Sequence, residues 1–231
     1  MATLTRPAPD RASVRTTIAV KIVMALSGAT FILYVIAHMY GMLKVFSGKA
    51  AFDGYSNHLR ELGQPVLPYE GALWLMRIGL FLALVAHAWS AFYLWKRAGN
   101  ARTSRYAVRR AAAATLASKT MRWGGVTLLL FLGFHLMQFT FHTFEVGGSY
   151  FSPYDRVYHA FEVWWVALIY LTALGALGMH LRHGVWSALQ TLGITGSPGA
   201  ARTAKAAAVV VAAVVAGGFA LPPLSILLGI I

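Results

Sequence analysis

Long runs of apolar residues, separated by short polar stretches, dominate the pattern along the chain. A helix of about 20 apolar residues crosses a bilayer, and five runs reach that length, at residues 18–45, 71–95, 121–144, 159–181 and 206–231. The fourth run extends towards residues 186–189. The sequence therefore predicts an all-α membrane protein, with a polar N-terminal tail at residues 1–17 and a single five-helix transmembrane domain at residues 18–231.

Composition supports a membrane protein and narrows its chemistry. Of the 231 residues, 58% are hydrophobic and 12% are charged, which is too apolar for a soluble domain. A net charge of +13 would suggest nucleic acid in a soluble protein, but here we attribute it to membrane topology. The chain has no cysteine, which excludes disulfides, covalent c-type haem and cysteine-held iron–sulfur clusters within it.

The charged residues predict an orientation. Basic residues concentrate in the tail, between spans two and three, and after span four: Arg6, Arg11, Arg15, Lys21, Lys96, Arg97, Arg102, Arg105, Arg109, Arg110, Lys119, Arg122, Arg182, Arg202 and Lys205. Acidic residues other than Asp10 lie in or beside the other two loops: Asp53, Glu61, Glu70, Glu145, Asp155 and Glu162. Because positive loops stay cytoplasmic, we expect the N-terminus inside and the C-terminus outside.

Two segments repeat at matched offsets. Met24, Gly28 and Thr30 precede His38 with the same spacing that separates Met121, Gly125 and Thr127 from His135. The match indicates duplication of a two-helix unit, an arrangement that is common in membrane proteins.

Each of the first four spans carries one histidine: His38, His87, His135 and His180. Ionisable groups are costly inside a bilayer and are usually functional there, although a single such histidine often serves packing. Zinc would need four ligands at one depth, and these histidines lie at different depths. We therefore predict that the four histidines bind haem iron, within a di-haem four-helix bundle formed by the first four spans.

Helical rise sorts the four histidines into two levels. At about 1.5 Å per residue, His38 and His135 lie roughly 20–25 Å from the cytoplasmic face, and His87 about 14 Å from it. His180 lies nearer still to that face, just before Arg182. We predict an outer haem on His38 and His135 and an inner haem on His87 and His180. Two imidazoles fill both axial positions, so such haems carry electrons and perform no bond chemistry.

Four further residues are candidates for the haem environment. Gly28 and Gly125 should lie at the inner level, where a missing side chain admits a porphyrin; close helix packing is the equal alternative. Arg77 is placed to meet a propionate of the outer haem, unless it extends to the interface. His183 is a candidate partner for the inner haem, unless it is simply solvated.

The chain resembles the cytochrome b subunit of succinate:quinone oxidoreductases in their single-anchor, five-helix, di-haem form, and most closely the actinobacterial members. The resemblance covers most of residues 20–195. It rests on AHMYGMLKVFSG around His38, LRELGQPVLPYEGALWLMR, VAHAW around His87, MRWGGVTLLLFLGFHL to His135, and VYHAFEVWWVALIYLTALGALGMHLRHGVWSALQTLG through His180.

The resemblance implies two b-type haems on these four histidines and a bacterial plasma-membrane location. It also implies a flavoprotein subunit with covalent FAD and an iron–sulfur subunit on the cytoplasmic face. Electrons from succinate would pass the inner and then the outer haem to a quinone, which we expect to be menaquinone. Some di-haem fumarate reductases have a proton-conducting glutamate where this chain has Gly178, which puts that proton path in doubt.

The sequence does not locate the quinone site. Near the outer haem the candidates are Tyr55, His58, Arg60 and His142, with His159 as a further residue at the start of span four. A site near the inner haem is equally compatible with the sequence.

Three other functions remain open at this stage. The subunit could work in reverse in a quinol:fumarate reductase. It could be another transmembrane di-haem cytochrome, such as an ascorbate-linked reductase, which acts without a flavoprotein. A small transporter with histidine proton relays is the non-redox alternative.

Overall fold

A computed structural model describes residues 11–100 and 112–231 of the chain, and its side chains at 16–99 and 120–231. The described part is all-helical, with 83% helix and no strand, which confirms the all-α part of the predicted fold. The helices are α1 (Arg11–Leu43), α2 (Lys49–Glu61), α3 (Gly71–Asn100), α4 (Ala112–Phe139), α5 (Pro153–Glu162), α6 (Trp164–Thr191) and α7 (Pro198–Leu227), with a 3-10 turn at Lys44–Ser47. Most of the predicted tail and the basic stretch at 101–111 lie outside the described residues.

Four described helices are long and apolar enough to cross a membrane, at Thr16–Ser47, Gly71–Gly99, Trp164–Thr191 and Pro198–Leu227. The remaining long helix, α4, is not among these four when its described residues are considered. Arg122, His135 and Gln138 lower its mean hydropathy, although the segment between them is strongly apolar. Length and composition therefore support a multi-pass membrane protein with four candidate spans.

The long helices pack mainly through α1 and α6. Helix α6 has its most extensive contact with α7, and it also packs against α4 and α1, while α1 packs against α3 and α7. The end of α3 meets the start of α4, because the rings of Trp95 and Trp123 lie 6.1 Å apart and the Arg122 guanidinium lies 5.4 Å from the Trp95 ring centre. This contact defines one end of the bundle, which we call the basic end.

The opposite end carries the two short helices, α2 and α5, which pack against each other. Ser152 caps α5 by accepting a hydrogen bond from the Asp155 amide, and its hydroxyl donates to Asp53 at 2.7 Å. The Tyr154 amide donates to the same carboxylate at 3.0 Å, and Lys49 forms an ion pair with Asp155. These contacts hold α2 and α5 together across the end that we call the acidic end.

The structure corrects the predicted start of the fourth span. His159 belongs to α5, which ends at Glu162, and α6 begins only at Trp164. The break lies at Val163, whose backbone is extended at φ −82° and ψ 107°. Helix α5 has polar and apolar faces, so it packs across the acidic end, and the apolar run of the fourth span starts after it. The third predicted span is also shifted towards the N-terminus, because α4 begins at Ala112 and ends at Phe139.

Candidate functional site

The four histidines predicted from the sequence meet in two pairs. The ring centres of His38 and His135 are 5.9 Å apart, with 70° between the ring planes. Those of His87 and His180 are 6.2 Å apart, with 61° between the planes. These partnerships are the ones expected from helical depth, so the structure brings together the residues that the sequence paired.

The separations are longer than a direct hydrogen bond between the two rings would give. An imidazole nitrogen binds a first-row metal ion at about 2.0 Å and lies about 1.1 Å from its ring centre, so two axial rings on one ion stand about 6 Å apart. A direct hydrogen bond of about 2.9 Å between two ring nitrogens would bring the centres to about 5 Å. The distances of 5.9 and 6.2 Å are compatible with the first arrangement, and they also lie within the range of about 4.5–7 Å for ordinary packing of two rings.

Each pair joins two helices that are not packed together. His38 and His135 lie on α1 and α4, and His87 and His180 lie on α3 and α6. Within the described residues, neither α1 with α4 nor α3 with α6 forms a major packing contact, whereas α1 packs against α6 between them. All four rings are partly exposed. Each pair therefore bridges two helices that meet mainly through other helices of the bundle.

His87 is held through one ring nitrogen. Its Nδ1 lies 3.2 Å from the Met24 carbonyl oxygen and 3.3 Å from the Ser27 hydroxyl. Because Ser27 donates its own hydrogen to the Val23 carbonyl at 2.7 Å, both oxygens can accept from an Nδ1–H group. This environment favours the tautomer with hydrogen on Nδ1, which leaves the Nε2 lone pair free to bind a metal.

His135 is held by a side chain instead of the backbone. Its Nδ1 lies 3.1 Å from the Tyr170 hydroxyl, which donates onward to Oε1 of the buried Gln138 at 3.0 Å. A tyrosine hydroxyl that donates to Gln138 can accept from His135, so this contact also favours hydrogen on Nδ1. Neither Tyr170 nor Gln138 was identified from the sequence. The sequence shows only that an amide side chain lies three residues after His135 and that a hydroxyl side chain lies ten residues before His180.

His180 differs from its partner, because its Nδ1 is buried and has no hydrogen-bond partner. The internal repeat accounts for part of the difference. The position equivalent to Ser27 in the second half is Gly124, which has no hydroxyl to place beside the ring. Of the two imidazoles of the inner pair, only that of His87 therefore has hydrogen-bond partners at Nδ1.

Both glycines predicted to lie at the inner level contact the inner histidines. A Cβ built on Gly28 would stand 3.3 Å from Cε1 of His87, and one on Gly125 would stand 3.5 Å from Cε1 of His180. A Cβ at Gly28 would press against the His87 imidazole, whereas one at Gly125 would make ordinary van der Waals contact with the His180 imidazole. Close approach of a helix to a ring is therefore the observed role of these glycines.

Aromatic rings flank the outer pair at equivalent positions of the repeat. Tyr34 stacks on His38 at 5.5 Å with 8° between the planes, and Phe131 stacks on His135 at 6.0 Å with 30°. On α7, Phe219 lies 5.5 Å from His38. The outer pair thus has an apolar, largely aromatic wall.

Arg77 lies on α3 ten residues before His87, about 15 Å from it towards the acidic end. Its Nη1 lies 3.6 Å from the Glu70 carboxylate and its guanidinium lies 5.0 Å from the Trp74 ring centre. Its charge is therefore partly neutralised within the protein.

His183 lies one helical turn beyond His180 and is partly exposed. It interacts electrostatically with His180, so it lies close to the inner pair on the side of the basic end.

The four quinone candidates do not form one cluster in the described part of the chain. Tyr55 packs against Gly41, where an added Cβ would stand 2.8 Å from its ring, and Arg60 pairs with Glu70 at 3.2 Å. His142 contacts the Arg156 guanidinium at 2.7 Å. His58 shares α2 with Tyr55 and Arg60, and His142 lies beyond the end of α4.

No group of three or more His, Cys, Asp or Glu side chains that could hold a metal ion occurs among the described residues. A metal site built from three or more protein ligands is therefore not supported in the described part of the chain. No protein-family model, curated protein or solved structure matches this chain.

Proposed function

We propose that this chain is the membrane anchor and di-haem cytochrome b subunit of a succinate:quinone oxidoreductase. The observation that carries the proposal is the arrangement of two imidazole pairs, with ring centres 5.9 and 6.2 Å apart, between helices that do not pack together. The proposal includes five membrane spans, with α4 as the third, and a four-helix bundle of α1, α3, α4 and α6.

The chemistry of the donors favours haem over a bare metal ion. Each pair offers two imidazoles and no carboxylate or thiolate, whereas zinc sites close with four ligands. A porphyrin supplies the other four donors itself and needs only two axial ligands from the protein. His38 and His135 would hold the outer haem, and His87 and His180 the inner haem. When bound, two such haems relay single electrons.

The residues around the pairs have defined tasks in this proposal. Met24, Ser27 and Tyr170 keep hydrogen on Nδ1 of their histidines, so that Nε2 is presented to iron. Gly28 and Gly125 keep space beside the inner rings. Arg77 would balance the charge of a propionate of the outer haem only in competition with Glu70. His183 is a candidate partner for the inner haem.

The ends of the bundle support an orientation. The described basic residues at the basic end include Lys96, Arg97, Arg122, Arg182, Arg202 and Lys205, and the acidic end holds Asp53, Glu61, Glu70, Glu145, Asp155 and Glu162. By the positive-inside rule, the basic end faces the cytoplasm of a bacterial cell. A flavoprotein with FAD and an iron–sulfur subunit would dock there, and electrons would move outward to menaquinone.

Reverse operation as a quinol:fumarate reductase uses the same residues. The chain has Gly178 where some relatives of that type carry a proton-conducting glutamate, and a Cβ there would stand 3.3 Å from Cβ of Ala216 on α7, so the proposal includes no proton path by that route. An ascorbate-linked cytochrome would contain the same histidine pairs, and co-purification distinguishes it.

The first test is haem content. The chain is purified with its partners, and b-type haem is quantified as the pyridine haemochrome in wild type and in the four His→Ala variants. We expect two haems per chain, one haem lost in His38→Ala and His135→Ala, and the other lost in His87→Ala and His180→Ala. His58→Ala, a histidine outside the pairs, should keep both. Absence of b-type bands in the wild type would refute haem binding.

The second test is composition of the complex. A flavoprotein and an iron–sulfur protein should co-purify with the tagged chain, and the complex should reduce a menaquinone analogue with succinate. A di-haem chain that purifies alone would instead indicate another class of cytochrome.

A further inference from the structure

A hydrogen-bonded chain links one ligand of the outer pair to a buried amide. It runs from Nδ1 of His135 to the Tyr170 hydroxyl at 3.1 Å, and from that hydroxyl to Oε1 of Gln138 at 3.0 Å. The chain joins α4 to α6. The other ligand of the outer pair, His38, meets aromatic rings instead.

Packing holds Tyr170 in place. Its ring centre lies 4.9 Å from that of Phe131, 5.0 Å from Phe161 and 6.1 Å from Phe139, all with the ring planes nearly perpendicular. Such edge-to-face contacts stabilise aromatic clusters beyond the area that they bury. The hydroxyl therefore has a fixed position with respect to His135.

The direction of the chain decides which nitrogen of His135 is free. With the Gln138 carbonyl accepting from Tyr170, the phenol oxygen accepts from Nδ1–H and Nε2 carries a lone pair. A reversed amide would donate to Tyr170, which would then donate to Nδ1 and leave hydrogen on Nε2. Only the first direction is compatible with an iron bond at Nε2.

Gln138 has a second feature that makes it more than a packing residue. It is 4% exposed, and its Nε2 is buried with no hydrogen-bond partner. Gln138 also lines a small cavity at the acidic end with His142, Glu145 and Arg156. An amide whose one end is unsatisfied costs free energy, so its retention calls for a role of the other end, the carbonyl that orients Tyr170.

We propose that Tyr170 and Gln138 are positioning residues for the outer haem, which act through His135 and make it a stronger iron ligand than His38. The inference rests on the proposed haem function. Hydrogen-bond acceptors on the far nitrogen raise the basicity of a ligating imidazole and fix its orientation. A more basic axial ligand favours ferric iron, so this chain lowers the midpoint potential of the outer haem.

The test is a spectroscopic redox titration of the purified complex with Tyr170→Phe. This variant keeps the ring and removes the hydroxyl. We expect both haems to remain and one to become easier to reduce, with a change in its ferric-to-ferrous ratio on the order of tenfold, equivalent to about 59 mV for a one-electron couple. The shifted haem should be the one that His135→Ala removes, and its low-temperature paramagnetic resonance signal should change as well.

Gln138→Leu provides a second measurement. Because the Tyr170 hydroxyl remains, we expect a shift of the same haem in the same direction but smaller. Tyr158→Phe is the matched control. This tyrosine lies on α5, where its ring stacks on Tyr154 and packs against the core, and none of its ring contacts is with a paired histidine. It should shift neither haem.

The outcomes separate the two proposals. A wild-type complex without haem removes the proposed function and this inference with it. A complex with two haems in which neither Tyr170→Phe nor Gln138→Leu shifts a potential refutes the positioning role alone. If Tyr170→Phe loses the outer haem altogether, the Gln138→Leu variant tests the positioning role: a shift in the potential of the outer haem supports it, and no shift refutes it.

Discussion

Gly28 lies directly against the imidazole of His87, because a Cβ at this glycine would stand 3.3 Å from Cε1 of the ring. The contact is tighter than ordinary van der Waals packing, and it lies at the level of the inner pair. A side chain at residue 28 would therefore require the His87 ring to shift, and a large one would displace it.

Gly28→Val should therefore displace His87 and cost the inner haem while the outer haem remains. Gly133→Val is the matched control, because an added Cβ on this glycine of α4 meets nothing within 4 Å. Pyridine haemochrome quantitation should give about half the wild-type haem for Gly28→Val and the full amount for the control. Equal haem in both variants would contradict the assigned contact.

Two substitutions near the inner pair are expected to shift the midpoint potential of the inner haem in opposite directions. Ser27→Ala removes an acceptor beside Nδ1 of His87, so the inner haem should become easier to reduce. Gly124→Ser adds a hydroxyl at the equivalent position beside His180, where a Cβ meets only the Ala176 carbonyl at 4.0 Å, and should make the same haem harder to reduce.

Redox titration of the purified complex measures the direction of the potential shift in each of the two variants. Thr30→Val is the control, since this exposed hydroxyl donates only to the Leu26 carbonyl of its own helix, at 3.2 Å. Shifts of the same sign in Ser27→Ala and Gly124→Ser would show that the hydroxyls do not act through the imidazoles.

Asp53 is expected to stabilise the acidic end more than the ion pair next to it. Asp53→Ala leaves the Ser152 hydroxyl and the Tyr154 amide without their acceptor, which should cost about 1–3 kcal/mol. Lys49→Ala breaks the ion pair with Asp155, but Lys49 is half exposed, so about 0–1 kcal/mol is expected. Thermal unfolding in detergent, followed by the haem absorbance, should give a clearly lower unfolding temperature for Asp53→Ala than for Lys49→Ala.

The contact between α6 and α7 should not accept a side chain at Gly178. Gly178→Val would press against Ala216 and lower the unfolding temperature of the complex. Gly175→Val lies on the same helix, where an added Cβ meets nothing within 4 Å, and should leave the unfolding temperature close to that of the wild type. An unaltered Gly178→Val protein would mean that α7 can move away from α6.

Outward electron flow predicts a dependence on membrane potential. An electron that crosses the whole membrane away from a negative interior gains about 2.3 kcal/mol per 100 mV, which would assist the unfavourable reduction of menaquinone by succinate. An uncoupler added to intact cells should slow succinate-linked menaquinone reduction. A menaquinone-reducing dehydrogenase on the cytoplasmic face serves as control. Succinate-linked reduction that is insensitive to the uncoupler would exclude outward flow.

Helix positions and the pairing of the histidines could be predicted because depth in a membrane is nearly a linear function of residue number. Because the first and third spans run in the same direction at a fixed rise per residue, similar distances from the basic end bring His38 level with His135 whatever the rotation of the two helices. The partners of the ring nitrogens could not be predicted in this way. Whether Tyr170 reaches His135 depends on the rotation of α6 about its own axis, which hydropathy does not encode.

The short helices were missed for a different reason. Both α2 and α5 are amphipathic, so neither forms an apolar run of span length, and α5 is separated from α6 by Val163 alone. A search for long apolar runs joined part of α5 to the fourth span. A search for a 3.6-residue period in the loops would have found both helices.

Each imidazole pair takes one ring from each half of the internal repeat. A half-length precursor with a single two-helix unit could therefore form both pairs only as a dimer about a two-fold axis along the membrane normal. Joining two copies in one chain frees them to diverge, and Ser27 with Gly124, or Arg77 with Tyr170, shows such divergence at matched positions. Gene fusion would thus turn two symmetric centres into two that can be tuned independently.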